Sequence, residues 1–130
     1  MGKSLNAAQS EIEKCALCCD YYVQNAAKHL SPEIVKTENK KSYVRFDPLG
    51  CILGVMPWNF PYWQVFRFAI PTLAAGNVVL VKHASNVPRC AFALEKLFRD
   101  AGFPAAGYTN LAITSQDITL IISNPCVKGI

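Results

Sequence analysis

The chain has 130 residues, of which 52% are hydrophobic and 17% charged, with a formal net charge of +4. That balance excludes a disordered chain and suits one small, apolar globular domain. The basic residues are scattered and the aromatics do not alternate with Lys or Arg, so no nucleic-acid partner is expected.

Asn6 to about Leu30 reads as a helix. Ala7, Ala8, Ile12, Cys15, Ala16, Cys19, Tyr22, Val23 and Ala26 recur at three- and four-residue steps, and Ser31–Pro32 ends the pattern. "CALCC" has a C-x-x-C spacing but no second Cys/His pair, so no metal site is expected. The six cysteines (Cys15, Cys18, Cys19, Cys51, Cys90 and Cys126) come without a signal peptide and with ample core material. They read as small buried thiols of a reducing, cytoplasmic setting rather than as a disulfide scaffold.

"TENKK" is a polar turn, "SYVRF" alternates like a strand, and "DPLG" is a turn signal. "CILGVM" is a continuous apolar run, the pattern of a strand buried on both faces. Pro57 stops it, and Pro61 is placed to open a helix at its first position. Tyr62 to Ala75 reads as a mostly buried helix, with Pro71 as a kink or break. "VVLVK" is a second buried strand, and His83 beyond it reads as a loop residue. Pro88 starts an amphipathic helix to Ala101 with Ala91, Leu94, Leu97 and Phe98 on its apolar face and Gly102 as its cap. "GYTNLAI" is a third strand, Ile118–Ser123 a short helix, and "CVKGI" the start of a fourth strand. The long apolar stretch from Cys51 to Val81 is not a membrane span, because Arg67 and several prolines divide it into pieces below the roughly 18 residues needed to cross.

From Cys51 the order is therefore β-α-β-α-β-α-β. This predicts a Rossmann-like parallel α/β sheet with helices on both faces, preceded by a long helix. Ligands in such sheets sit beyond the carboxyl ends of the strands. The turn Met56-Pro57-Trp58-Asn59-Phe60-Pro61 occupies one such place. Its prolines hold the backbone on either side of Asn59, whose amide could serve as an oxyanion donor or could cap the next helix. Lys82 ends the second strand, where it could bond a ribose or phosphate or simply be solvated. Arg67 is the lone formal charge in the apolar stretch, and a buried arginine needs a partner. There is no G-x-G-x-x-G, so no dinucleotide site follows from a glycine loop.

"GVMPWNFPYWQVFRFAIPTLAAGNVVLVKHAS" resembles the aldehyde dehydrogenase superfamily. "PWNFP", "P-x-L-A-A-G-N" and "V-x-K-x-A-S" recur there in this order, followed by "AGFP". The opening "MGKSLNAAQSEIEKCA" resembles the family's "EMGK" helix, and the whole is most like the succinate-semialdehyde branch. The resemblance implies an NAD(P)-dependent oxidoreductase acting on a small aldehyde, with no membrane partner and a homo-oligomeric intact enzyme. It implies that Asn59 is the oxyanion donor, that Met56, Pro57, Trp58 and Asn59 border the cofactor, and that Lys82 binds the adenosine ribose. Ser85 stands where many NAD-preferring members carry glutamate, which would repel a 2′-phosphate, so NADP is accommodated as well as NAD. Arg67 matches an arginine that faces the substrate channel and would pair with a distal carboxylate.

On the same resemblance, residues 1–50 form an N-terminal helix and strand, and residues 51–130 form incomplete NAD(P)-binding βα units. The Gly-rich turn, the general-base glutamate and the nucleophilic cysteine of the family have no match here, so a piece of a larger enzyme, inactive alone, is expected. A non-catalytic nucleotide-binding or interaction module of the same fold is the alternative. A reading frame that continues past Ile130 into a Gly-rich turn and a later cysteine would exclude it.

Overall fold

The computed structural model describes residues 2–130. The first element is a long helix, α1 (Leu5–His29). Ser4 caps it, its Oγ accepting from the Ala7 amide at 3.3 Å, which satisfies one of the free amides of the first turn. Two short antiparallel strands follow, β1 (Glu33–Ile34) and β2 (Tyr43–Val44). The strand expected over "SYVRF" is thus reduced to its first apolar pair. Its partner, Glu33–Ile34, is too short to show any alternation in sequence.

The rest alternates as predicted: β3 (Cys51–Met56), α2 (Trp63–Ala74), β4 (Val78–His83), α3 (Pro88–Asp100), β5 (Tyr108–Asn110), α4 (Ile118–Ile122) and β6 (Val127–Gly129). The four later strands form one sheet in the order β5-β4-β3-β6, parallel throughout. The chain steps outward from β3 to β4 and β5, then returns to the far edge of β3. Strand order therefore reverses between β3 and β6, the kind of crevice in which open α/β sheets hold ligands.

One face of the sheet makes the core. Val79 and Val81 of β4 are fully buried beneath Val65, Phe66 and Ala69 of α2 and Leu94 and Phe98 of α3. The Phe66 and Phe98 ring centroids lie 5.8 Å apart, and Tyr108 stacks on Phe98 at 4.3 Å. A Cβ added at Gly54 would stand 2.6 Å from a ring carbon of Phe68, so α2 seats on β3 only because that position has no side chain. Val81 and Lys82 point to opposite faces, as neighbours in a strand must. Lys82 bonds Ser115, so the segment leading into α4 lies across the sheet from α2 and α3. That second face is thinly covered: Val55 and Val78 are 51% and 40% exposed. The flanking helices are as expected, and at the centre of β3 Leu53 and Gly54 are buried on opposite faces, whereas Val55 nearer its end is exposed.

Helix ends follow sequence more closely. Pro88 opens α3, and Gly102 ends it at φ +82°. The amides of Gly102 and Phe103 bond the carbonyls of Arg99 and Phe98 there, a Schellman ending that needs a left-handed residue. Of the predicted apolar face, Ala91, Leu94 and Phe98 are buried, whereas Leu97 is 49% exposed. In α2, Pro61 does not hold the first helical position; it lies in the preceding turn, and Tyr62 is the cap residue. Pro71 neither breaks nor ends the helix, which runs on to Ala74. It withholds one amide from the ladder, that which would reach the Arg67 carbonyl.

α1 packs against α2 along a stripe that includes Glu11 and Cys15, both buried, with Cys19 beside the core. Ile12 and Val23, expected on that stripe, are exposed. The stripe carries a buried carboxylate, and the reason for it lies at the N-terminal end of α2.

Candidate active site

Met56 of β3 and His83 of β4 are register partners. The turn after Met56 and the loop after His83 therefore leave the sheet side by side, at the carboxyl ends of adjacent strands.

In the first turn Pro57, Trp58, Asn59 and Phe60 are exposed. The helix-cap reading of Asn59 does not hold: the cap residue of α2 is Tyr62, and no side chain of the turn caps the helix. The capping group comes from α1. Glu11 Oε1 accepts from the Tyr62 and Trp63 amides at 2.8 and 2.9 Å, where the helix carries its partial positive charge. Glu11 Oε2 accepts from Lys3 Nζ. Burial pushes the Glu11 carboxyl up, but the Lys3 bond and the two amides outweigh burial and hold it below its usual value. Lys3 also lies 4.1 Å over the Phe60 ring, and Lys14 4.2 Å over the Trp63 ring. These cation–π contacts bind the aromatics flanking the turn to α1.

His83 holds the same turn from the sheet. It is not a loop residue: it is the last residue of β4 and 5% exposed. Its Nδ1 lies 2.8 Å from the Ala84 amide, and its Nε2 lies 2.8 Å from the Pro61 carbonyl oxygen. The amide can only donate and the carbonyl can only accept. Nδ1 is therefore the acceptor, and Nε2–H donates to Pro61.

The second loop differs. Lys82 is 6% exposed, so it is not a solvated strand-end lysine. Its Nζ donates to Ser115 Oγ at 3.2 Å. Among the described residues no carboxylate pairs with it. Ser85 is exposed and borders a shallow groove of about 220 Å³, lined also by His83, Pro88, Phe92, Asn110 and Ile113.

Arg67 sits on α2 and is exposed, without a carboxylate partner among the described residues. The premise that it is buried and needs a partner to fold is thereby corrected. Its neighbours Val65, Phe66 and Ala69 turn inward, and the helical turn carries Arg67 outward. Chain order alone shows an apolar stretch around a charge; it does not show which side of the helix the charge is on.

The structure brings Met56, Pro57, Trp58, Asn59, Lys82 and Ser85 to two adjacent strand ends. Glu11, His83 and Ser115 were not singled out as site residues. A signal existed for Glu11, an acid placed on the helical stripe between Ala8 and Cys15. Nothing in the sequence marks Ser115.

All six cysteines are free thiols, but only Cys15 is buried; Cys18, Cys19, Cys51 and Cys90 are half-buried and Cys126 is exposed, which corrects the reading of all six as buried. Burial pushes Cys15 up to about 12, with the charge of Glu11 adding to it. No group of His, Cys, Asp and Glu that could hold a metal ion occurs among the described residues, and no helix there is long and apolar enough to cross a membrane.

Residues 1–130 match the aldehyde dehydrogenase family, to which the chain belongs. It is 54% identical over 129 residues to a probable succinate-semialdehyde dehydrogenase (NADP(+)) of Synechocystis sp., covering 99% of this chain and 28% of that relative. It is 42% identical to a succinate-semialdehyde dehydrogenase (NADP(+)) of Deinococcus radiodurans, covering all of this chain and 27% of the relative. The crystal structure of succinic semialdehyde dehydrogenase from Streptococcus pyogenes, in complex with NADP+, superposes with a TM-score of 0.94 at 38% identity, over 98% of this chain and 28% of that one. The chain thus spans under a third of the length of these relatives.

Proposed function

We propose that residues 51–130 are part of the cofactor-binding domain of an NADP-accepting succinate-semialdehyde dehydrogenase, and that residues 1–50 brace it. The observation that carries the reading is Lys82. Its ammonium is buried at a strand end and, among the described residues, met by one neutral hydroxyl alone. A buried cation with spare donors suits a ribose diol or a phosphate, so the residues fit the cofactor. Met56, Pro57, Trp58, Lys82 and Ser85 would hold it. When bound, it supplies the hydride acceptor for oxidation of the aldehyde. Ser85 presents no negative charge to a 2′-phosphate, in keeping with the NADP(+) in the names of the relatives.

Asn59 is the oxyanion donor on this reading. The exposed amide donates an N–H toward the aldehyde oxygen as that oxygen gains charge on addition of a thiolate. Because its backbone is fixed, the amide need not reorganise as the charge develops. Arg67 reads the far carboxylate of the substrate with its paired N–H groups. The family's cysteine nucleophile and general-base glutamate match no residue of this chain, so activity is expected of the full-length protein and not of these 130 residues alone.

The test is steady-state kinetics of the full-length protein with succinate semialdehyde and butanal, each with NADP and with NAD. The expected result is the highest kcat/KM for succinate semialdehyde with NADP. Equal use of both aldehydes would refute the substrate, and absence of turnover with any pair would refute the enzyme.

A further inference from the structure

We propose that His83 and Glu11 are positioning residues that clamp the Asn59 turn from opposite sides, one from the end of β4 and one from α1. The proposal rests on the reading of Asn59 given above but concerns two residues outside it. Three consecutive residues are gripped: the Pro61 carbonyl by His83, and the Tyr62 and Trp63 amides by Glu11. Both gripping side chains are buried, at 5% exposure each. Asn59 itself is exposed and is oriented only through the backbone on which it rides.

A buried imidazole or carboxylate is costly unless its bonds are made. Here both are satisfied, and nearly all their capacity is spent on this one turn and its neighbours. Nδ1 of His83 is fixed by the Ala84 amide, which orients the ring so that Nε2–H meets the Pro61 carbonyl. Glu11 is set in turn by Lys3, whose ammonium also covers Phe60. The turn is thus tied to β4, whose next-to-last residue is Lys82, and to α1. One imidazole joins the strand end read as the cofactor site to the turn read as the oxyanion site. An oxyanion donor acts by position, and displacements of about 1 Å can cost about a hundredfold in rate. A clamp on its backbone therefore acts on kcat rather than on binding.

The experiment compares full-length wild type, His83→Leu, His83→Gln and His83→Ala. Leu keeps bulk and removes both ring nitrogens, whereas Gln can return an N–H near the Nε2 position. Hydrogen exchange is followed at the amides of Tyr62 and Trp63, bonded to Glu11, and of Gln64, bonded to the Phe60 carbonyl, and kinetics are measured with succinate semialdehyde and NADP. The clamp predicts that His83→Leu exchanges these amides about tenfold faster, with the sheet amides of β3 unchanged. It also predicts a kcat lower by about tenfold or more at a KM for NADP within about twofold. His83→Gln should recover most of both losses. Unchanged exchange in the Leu variant overturns the clamp. Faster exchange with an unchanged kcat overturns the positioning role. A wild type without activity overturns the functional reading instead, and exchange alone then decides whether His83 holds the turn. Should His83→Leu not fold, His83→Gln carries the test: wild-type exchange and kcat support the clamp, and a loss equal to that of His83→Ala overturns it.

Discussion

The two strand-end turns leave the sheet as neighbours, yet they are built on opposite plans. The turn after β3 has its backbone held by distant side chains, Glu11 and His83, while its own Asn59 stays free. The loop after β4 is closed by local bonds, the Val87 amide to the Ala84 carbonyl at 3.2 Å and Pro88 at the helix start. There the side chains carry the meaning: a buried Lys82 and an uncharged Ser85. On the proposed reading, the first turn fixes where a donor points, and the second decides which charges are tolerated. Geometry needs a scaffold that does not move, whereas charge acts over several ångströms and tolerates a simpler loop.

If the first turn works by position, the largest effect should come from its free amide. Asn59→Ala in the full-length protein is expected to lower kcat about 10²–10³-fold, with the KM for NADP little changed. A kcat within a factor of about two of wild type would remove the oxyanion role from Asn59.

Arg67 tests whether position extends along α2 to the substrate. Arg67→Ala should lower kcat/KM for succinate semialdehyde about tenfold to a hundredfold, the worth of a charged hydrogen bond. Butanal should lose little. Because Arg67 is exposed, the variant should keep its thermal midpoint; an equal loss for both aldehydes removes the carboxylate contact.

The second loop is tested by charge. Ser85→Glu should raise the KM for NADP about tenfold more than that for NAD, and added salt should narrow the gap. Equal changes for both cofactors would place Ser85 away from the ribose and end the contrast between the two turns.

The smallest effect concerns the brace. Glu11 is held below its usual value in the fold, so its bonds stabilise the protein fully above the unfolded-chain value of about 4.3. That contribution fades as pH falls through the lower folded value. Glu11→Gln should cost about 1 kcal/mol near neutrality and show a flatter stability curve over that acid range. Denaturant midpoints at a series of pH values from about 7 to 3 check both. Parallel curves for the two proteins would mean that Glu11 does not carry the bonds described.

Element order, helix type and the parallel sheet were legible because each rests on local chemistry. The apolar period, Pro88 at a helix start and Gly102 at a helix end require only near neighbours in the chain. So did the block Met56–Ser85, whose motifs are contiguous. What misled was any inference about which way a side chain faces. Arg67 lies within an apolar stretch but on the outer side of α2. Ile12 and Val23 fit a helical stripe but are exposed, while Glu11 is buried on it. His83, one residue past an apparent strand, is inside it.

The sequence by itself determined the βα alternation, the two turns and the family resemblance, because prolines, glycines and apolar periods act over a few residues. Only the tertiary structure decided what holds the first turn. Glu11 and Tyr62 are 51 positions apart, and Pro61 and His83 are 22 apart. A carboxylate on an apolar stripe and a histidine at a strand end have no local reason to be where they are. Each is stable when buried only because folding brings backbone donors and acceptors of a distant segment to within hydrogen-bonding distance, where they replace the water that the side chain gives up.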